Sequence, residues 1–194
     1  MFSREDGFGN HHRPQFRFDE VIAREGENFE EAMARVIKTR IGYYFENGRP
    51  FNGGTVLDVG SGDGRFLQMI KELGAEKVIA VEPDTSGLSE VALQRLKMAD
   101  LFQGTIEELE AHGWKYDGAL VLNCSPMADA STMVESLSKQ VKEGGTVIFS
   151  FAEKEPTYDR FLPLIQQHFR DVKVNGTVGD KVWGPHKIIV IATK

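Results

Sequence analysis

Apolar positions in this chain recur with two periods, and the change from one to the other marks out its elements. From Asn28 the period is helical: Phe29, Met33, Val36, Ile37, Ile41 and Tyr44 fall on one face. Asn28 with Glu31 resembles a capping box at the start, and Asn47-Gly48 followed by Arg49-Pro50 ends the helix. Residues 1 to about 26 carry no period and read as a mobile tail, in which Phe8, Phe16 and Phe18 offer something to dock.

Beyond residue 53 short apolar runs alternate with helical stretches. The first strand is Thr55 to Val59, and its helix carries Phe66, Met69, Ile70 and Leu73 as far as Gly74. Val78 to Val81 is a second strand, followed by a helix including Leu88, Val91, Ala92 and Leu96. A short third strand is expected near Leu101 to Gln103, a helix near Ile106 to Ala111, and an apolar fourth strand from Gly118 to Leu122. Thr132 with Glu135 resembles the cap of a helix reaching Glu143, which Gly144-Gly145 closes before a fifth strand, Thr146 to Phe151. Pro156 opens a helix bearing Phe161, Leu164, Ile165 and His168, and two strands finish the chain near Asp171 to Val174 and Lys187 to Ala192. Alternation of this kind implies a parallel sheet with helices on both faces, while the last two strands, lacking a helix between them, pair antiparallel. In such a sheet ligands bind at the carboxyl ends of the strands, near the switch point beside the first strand. That edge holds Gly60 to Gly64, Glu82, the turn near Thr105, and Asn123.

The chemistry concentrates in Val56-Leu57-Asp58-Val59-Gly60-Ser61-Gly62-Asp63-Gly64-Arg65-Phe66, with Glu82 following 22 residues after Gly60. Glycines let a ligand approach the backbone, and a helix start offers N–H groups to an anionic group. Glu82 ends the second strand, where its carboxylate can accept from both ribose hydroxyls. A dinucleotide fingerprint reads G-x-G-x-x-G, but here Arg65 stands at the fifth place after Gly60 and the third glycine is Gly64. Asp58 also lies two places before the first glycine, where it would repel a pyrophosphate. S-adenosyl-L-methionine suits these charges better, with an ammonium, a sulfonium and a single carboxylate.

On these residues the chain resembles the class I S-adenosylmethionine-dependent methyltransferases, whose first motif is similar to Leu57 to Gly64 and whose ribose-binding acid matches Glu82. The resemblance implies an α/β fold: a three-layer, Rossmann-like, seven-stranded, mostly parallel sheet with a C-terminal antiparallel hairpin, plus an N-terminal helical extension. It divides the chain into residues 1–52, a tail and helical lid, and residues 53–194, the cofactor-binding methyltransferase domain. Amides of Gly60, Ser61, Gly62 and Gly64 are expected to meet the methionine carboxylate and Asp58 the ammonium; the alternative is that Asp58 only orders the turn. Pro83 follows Glu82 into the same site. Phe102 to Leu109 resembles the segment after the third strand in methyltransferases of the ubiquinone and menaquinone biosynthesis type. Thr105 and Ile106 are thereby implied to contact adenine, and a helix cap is the alternative for Thr105. Asn123 ends the fourth strand and is expected at the methionine part. Those relatives often carry Glu-His after this strand, and no histidine follows here, so the catalytic group stays unassigned. His12, Tyr43 and His186 are candidates for a base, alongside His11, Tyr44 and Trp183, with Arg17 a candidate for a carboxylate. Cys124 reads as a small buried residue.

Composition narrows the function. The chain has 194 residues, 41% hydrophobic and 27% charged, which suits one globular domain with a small extension. Its 29 acidic against 23 basic residues leave a net charge of −6, so nucleic acid is not the favoured partner. A single cysteine excludes an intrachain disulfide and, with no apolar run of signal or membrane length, points to a cytoplasmic protein. No clustered His, Asp or Glu spacing suggests a metal site. The expectation is methyl transfer to a small-molecule acceptor, with S-adenosyl-L-homocysteine as product and a homodimer possible through the extension. Three alternatives stand beside it: a non-catalytic cofactor-binding subunit or sensor, a nicotinamide-dependent oxidoreductase, and a protein or transfer-RNA methyltransferase.

Overall fold

Both faces of the central strands are apolar, and that fixes the architecture. The structure, a computed structural model, describes residues 29–42, 45, 49–122, 129–151, 157–175 and 188–194. Its elements in chain order are α1 (Phe29–Gly42), β1 (Thr55–Val59), α2 (Leu67–Glu72), β2 (Lys77–Val81), α3 (Glu90–Leu96), β3 (Asp100–Phe102) and α4 (Ile106–Glu110). There follow β4 (Tyr116–Leu122), α5 (Ala130–Gln140), β5 (Val141–Phe151), α6 (Thr157–His168), β6 (Asp171–Asn175) and β7 (Ile188–Thr193). The strands form one sheet in the order β3-β2-β1-β4-β5-β7-β6. Pairs from β3 through β5 are parallel, whereas β7 runs antiparallel between β5 and β6. The expected sheet and its terminal hairpin are both present.

Because side chains alternate along a strand, Leu57, Val59, Ala119, Val121, Val147 and Phe149 pack on one face. There they meet Leu109 of α4, Val134 and Leu137 of α5, and Phe161 and Ile165 of α6. Val56, Val78, Ala80, Leu120 and Ile148 pack on the other face, under Ile37 and Ile41 of α1, Met69 and Ile70 of α2, and Leu96 of α3. Three layers result, with every central strand covered on both sides. The chain order leaves β1 for β2 on one side and returns to β4 on the other, so the switch point lies between β1 and β4.

Three local expectations are corrected. The cap of α5 is Asp129, whose carboxylate accepts from the Thr132 amide at 2.9 Å, and the helix stops at Gln140 rather than Glu143. Extended chain begins at once: Val141 pairs with Tyr116, and the register shifts between Tyr116 and Gly118. Gly144, at φ +76°, therefore sits in an irregularity of β5 and does not close a helix. A Cβ on Gly145 would lie 2.8 Å from the Asp117 carbonyl oxygen, so close strand packing explains the second glycine. Finally, α3 begins at Glu90 behind the Ser89 cap, so Leu88 precedes the helix rather than lying in it.

Candidate functional site

β1 delivers Asp58 to the edge of the sheet and then breaks into a turn that only glycine enters without strain. Gly60, Gly62 and Gly64 have φ of +70°, +53° and +73°. At Gly64 the space is also closed: a Cβ would come within 3.3 Å of Leu67, Arg95 and Leu96, so a side chain there would press against α3. At Gly62 no other described residue lies within 4 Å of a Cβ, its two chain neighbours apart. The turn is bare at Gly62, which is what a ligand lying against it requires.

Hydrogen bonds in the turn differ from the expected anion cradle. The amides of Gly60 and Ser61 both donate to the Val81 carbonyl oxygen, at 2.9 and 3.2 Å. Gly62 donates to Glu82 Oε2 at 2.8 Å, Gly64 to the Ser61 carbonyl at 2.9 Å, and Arg65 to Asp63 Oδ1 at 3.3 Å. These donors are engaged with oxygens of the chain itself. Asp63 also takes two 2.8 Å contacts from the Arg65 guanidinium and one of 3.3 Å from Arg95 of α3. The Arg65 hydrogen bonds hold the Asp63 carboxyl below its usual range. This brace was not foreseen; the only trace of it in sequence is Asp63 two places before Arg65.

Two side-chain atoms at the site lack what burial demands. Asp58 is 2% exposed and Ser61 is 6% exposed. Asp58 Oδ2 and Ser61 Oγ have no hydrogen-bond partner among the described residues; the other two such atoms, Tyr116 Oη and Gln140 Oε1, belong to different elements. A buried polar atom without a partner costs about 1–3 kcal/mol, more if charged. Burial, and then the negative charge of Glu82, push the Asp58 carboxyl up to about 7.

Glu82 continues β2 beyond its last paired residue. Its amide donates to the Phe102 carbonyl at 3.1 Å and its own carbonyl accepts from Gly104 at 3.3 Å. Its carboxylate accepts from Gly62 through Oε2 and from the Asp84 amide through Oε1, at 2.8 and 3.2 Å. Pro83 is exposed next to it. Thr105 takes the capping role: its hydroxyl oxygen accepts from the Glu108 amide at 3.3 Å, and its own amide donates to Glu108 Oε2 at 2.8 Å. The side chain of Ile106 is buried in the core, so only its backbone can face a ligand. Asp58, Gly60 to Gly64, Glu82, Pro83, Thr105 and Ile106 thus all lie in or just after β1, β2 and β3, at the carboxyl ends of adjacent parallel strands. Asn123, His11, His12, Arg17, Tyr43, Tyr44, Cys124, Trp183 and His186 lie outside the described residues. Among the described residues no group of three or more His, Cys, Asp or Glu could hold a metal ion. None of their helices is long and apolar enough to cross a membrane.

A glycine turn, a buried carboxylate and a strand-end glutamate at one edge of a doubly wound sheet define a domain built for a nucleoside-bearing cofactor. Residues 56–145 match the family described as Methyltransferase domain. Over these residues the chain is similar to the class I S-adenosylmethionine-dependent methyltransferases. It is 32% identical over 152 residues to a ubiquinone biosynthesis O-methyltransferase of Sodalis glossinidius, covering 72% of this chain and 59% of that protein. The chain therefore spans about three fifths of the length of that relative. Solved structures share the fold. A Burkholderia thailandensis 1,6-didemethyltoxoflavin-N1-methyltransferase, solved with its substrate and S-adenosylhomocysteine, superposes with TM-score 0.59 at 23% identity, covering 84% of this chain and 79% of its own. A T. thermophilus 16S rRNA N2 methyltransferase, solved with AdoMet and guanosine, superposes with TM-score 0.56 at 19% identity, covering 85% and 42%.

Proposed function

We propose that the chain binds S-adenosylmethionine at the carboxyl ends of β1, β2 and β3 and methylates a small-molecule acceptor. The observation that carries this reading is the pair of buried, unpartnered atoms, Asp58 Oδ2 and Ser61 Oγ, beside the bare turn at Gly62. A site whose amides are engaged and whose unpartnered groups include a carboxylate fits a ligand that donates hydrogen bonds. The cofactor's ammonium is such a donor, whereas a nicotinamide dinucleotide has no ammonium and carries a pyrophosphate that the Asp58 carboxylate would repel, which disfavours the oxidoreductase alternative.

In this reading Asp58 takes the ammonium, and Glu82 takes the ribose hydroxyls with the acceptor positions left beside its two amide contacts. Pro83 and the backbone of Thr105 and Ile106 flank the adenine, and Asn123 meets the methionine part. When bound, S-adenosylmethionine supplies a methyl already activated on a sulfonium. The chain then has to bind, orient and exclude water. A base is required only for an acceptor that is protonated at its reacting atom, and His12, Tyr43 and His186 are the residues proposed for it. Residues 1–52 would extend over the site as a lid, anchored to residues 53–194 by Ile37 and Ile41 of α1 in the core. A small hydroxyl-bearing acceptor is supported by the name of the Sodalis relative and by the net charge of −6, which gives no grip on a phosphate backbone.

Calorimetric titration of S-adenosylmethionine and S-adenosylhomocysteine into wild type and Asp58→Ala tests the binding half. The expected result is roughly micromolar affinity that Asp58→Ala weakens at least tenfold, about 1.4 kcal/mol. Methyl transfer is then read on small hydroxyl-bearing compounds, with transfer RNA and protein as comparison acceptors. No binding of either ligand refutes the cofactor reading, and transfer only to a macromolecule refutes the acceptor class.

A further inference from the structure

The Glu82 carboxylate reaches the glycine turn, a contact that holding a ribose does not require. Its Oε2 accepts the Gly62 amide from the neighbouring strand's turn, 20 residues away in sequence, at 2.8 Å. Its Oε1 accepts the Asp84 amide at 3.2 Å, which orients the carboxylate from its own side of the crossover. Gly62 has φ +53°, and beyond its chain neighbours no atom of the described residues lies within 4 Å of a Cβ, so among these residues side-chain packing does not hold it. The straps on either side of it are different bonds: Gly60 and Ser61 to the Val81 carbonyl, and Gly64 to the Ser61 carbonyl. At the centre of the turn the Glu82 carboxylate is the contact that fixes the backbone.

We propose that Glu82 is a positioning residue for the glycine turn as well as a cofactor contact, its carboxylate clasping the Gly62 amide before a ligand arrives. This inference rests on the cofactor reading above for the ligand it concerns. Each carboxylate oxygen has two acceptor positions and uses one on an amide, which leaves one per oxygen for a ribose hydroxyl. One carboxylate thereby couples the two halves of the cofactor: the nucleoside half touches it directly, and the methionine half feels it through the shape of the turn at Gly62. A glutamine cannot replace it. The amide nitrogen is a donor, so either Gly62 or Asp84 would face a donor instead of an acceptor.

The test compares the 194-residue wild-type chain with Glu82→Ala, which removes both carboxylate oxygens, by NMR. Without ligand, the Gly62 amide is expected to exchange with solvent at least tenfold faster in Glu82→Ala, while the amides of Leu57 and Val121 in the central strands keep their rates. Titration with S-methyl-L-methionine, a sulfonium amino acid that has no sugar, is expected to show affinity several-fold weaker for Glu82→Ala than for wild type. A glutamate that serves only ribose predicts equal Gly62 exchange in both proteins and equal affinity for this sugar-free ligand, and either result overturns the clasp. Wild type binding neither S-methyl-L-methionine nor S-adenosylhomocysteine would overturn the cofactor reading instead, and the exchange rates would still decide the clasp.

Discussion

The Asp58 carboxyl makes a prediction whose size follows from its surroundings. It is almost wholly buried, its Oδ2 has no partner among the described residues, and Glu82 adds a second negative charge nearby. These causes raise it from the ordinary 3.8 to about 7, burial contributing more than Glu82. Between those values the native state keeps a proton that the unfolded chain has released. Stability therefore falls as pH rises from about 4 to about 7 and levels off above. At 1.36 kcal/mol per pH unit the whole loss is on the order of 4 kcal/mol, of which about 2.5 kcal/mol arises between pH 5 and 8. Asp58→Asn keeps the shape and cannot ionise, so it escapes this loss. Urea unfolding of both proteins at pH 5, 6, 7 and 8 should show the variant gaining on wild type by that amount. A stability difference that stays constant within about 0.5 kcal/mol across this range would refute the reasoning. The proposed cofactor acts in the opposite direction, because its ammonium favours the ionised carboxylate. Below pH 7 binding should therefore release a proton, visible as a binding heat that depends on the ionisation enthalpy of the buffer. Affinity should fall with decreasing pH, approaching tenfold per unit, and Asp58→Asn should abolish both effects.

Substitutions at three further positions separate ligand binding from folding. Gly64→Ala meets both a positive φ and neighbours within 3.3 Å, and should lose about 1–3 kcal/mol in urea unfolding. Gly62→Ala has the backbone strain but open space, so it should cost about 1 kcal/mol of stability and weaken S-adenosylhomocysteine at least tenfold by calorimetry; a smaller effect on binding than on folding would count against a ligand lying over Gly62. Thr105→Ala removes the cap of α4 and should destabilise by about 1 kcal/mol, with Thr105→Ser restoring most of it. Unchanged affinity for adenosine in Thr105→Ala would assign the hydroxyl to the cap alone.

The period of the apolar positions was enough to place the strands. A strand buried on both faces reads as an apolar run, as β2 does over Val78–Val81 and β4 over Gly118–Leu122, while in β1 Asp58 alone breaks the run from Val56 to Val59. The pairing of β6 with β7 was also legible, since a parallel return needs a crossover longer than the absence of an intervening helix allows. At the site, the glycine turn and the acid after β2 were visible because their residue types and spacing answer to one backbone geometry. Tertiary structure decided the remainder. The insertion of β7 between β5 and β6 depends on which edges remain to be covered, and no local pattern encodes that. Val141 to Gly145 read as a helix end because its glycines look like a stop; only pairing with β4 reveals a strand with an irregular register. The donors of the turn looked free because amide partners come from elsewhere in the chain, here Val81 and Glu82. The neutral tendency of Asp58 arises in the same way. A carboxylate in sequence is simply acidic, and it becomes a group near pH 7 when helices close over one face of the sheet and a second carboxylate stands at the end of the next strand.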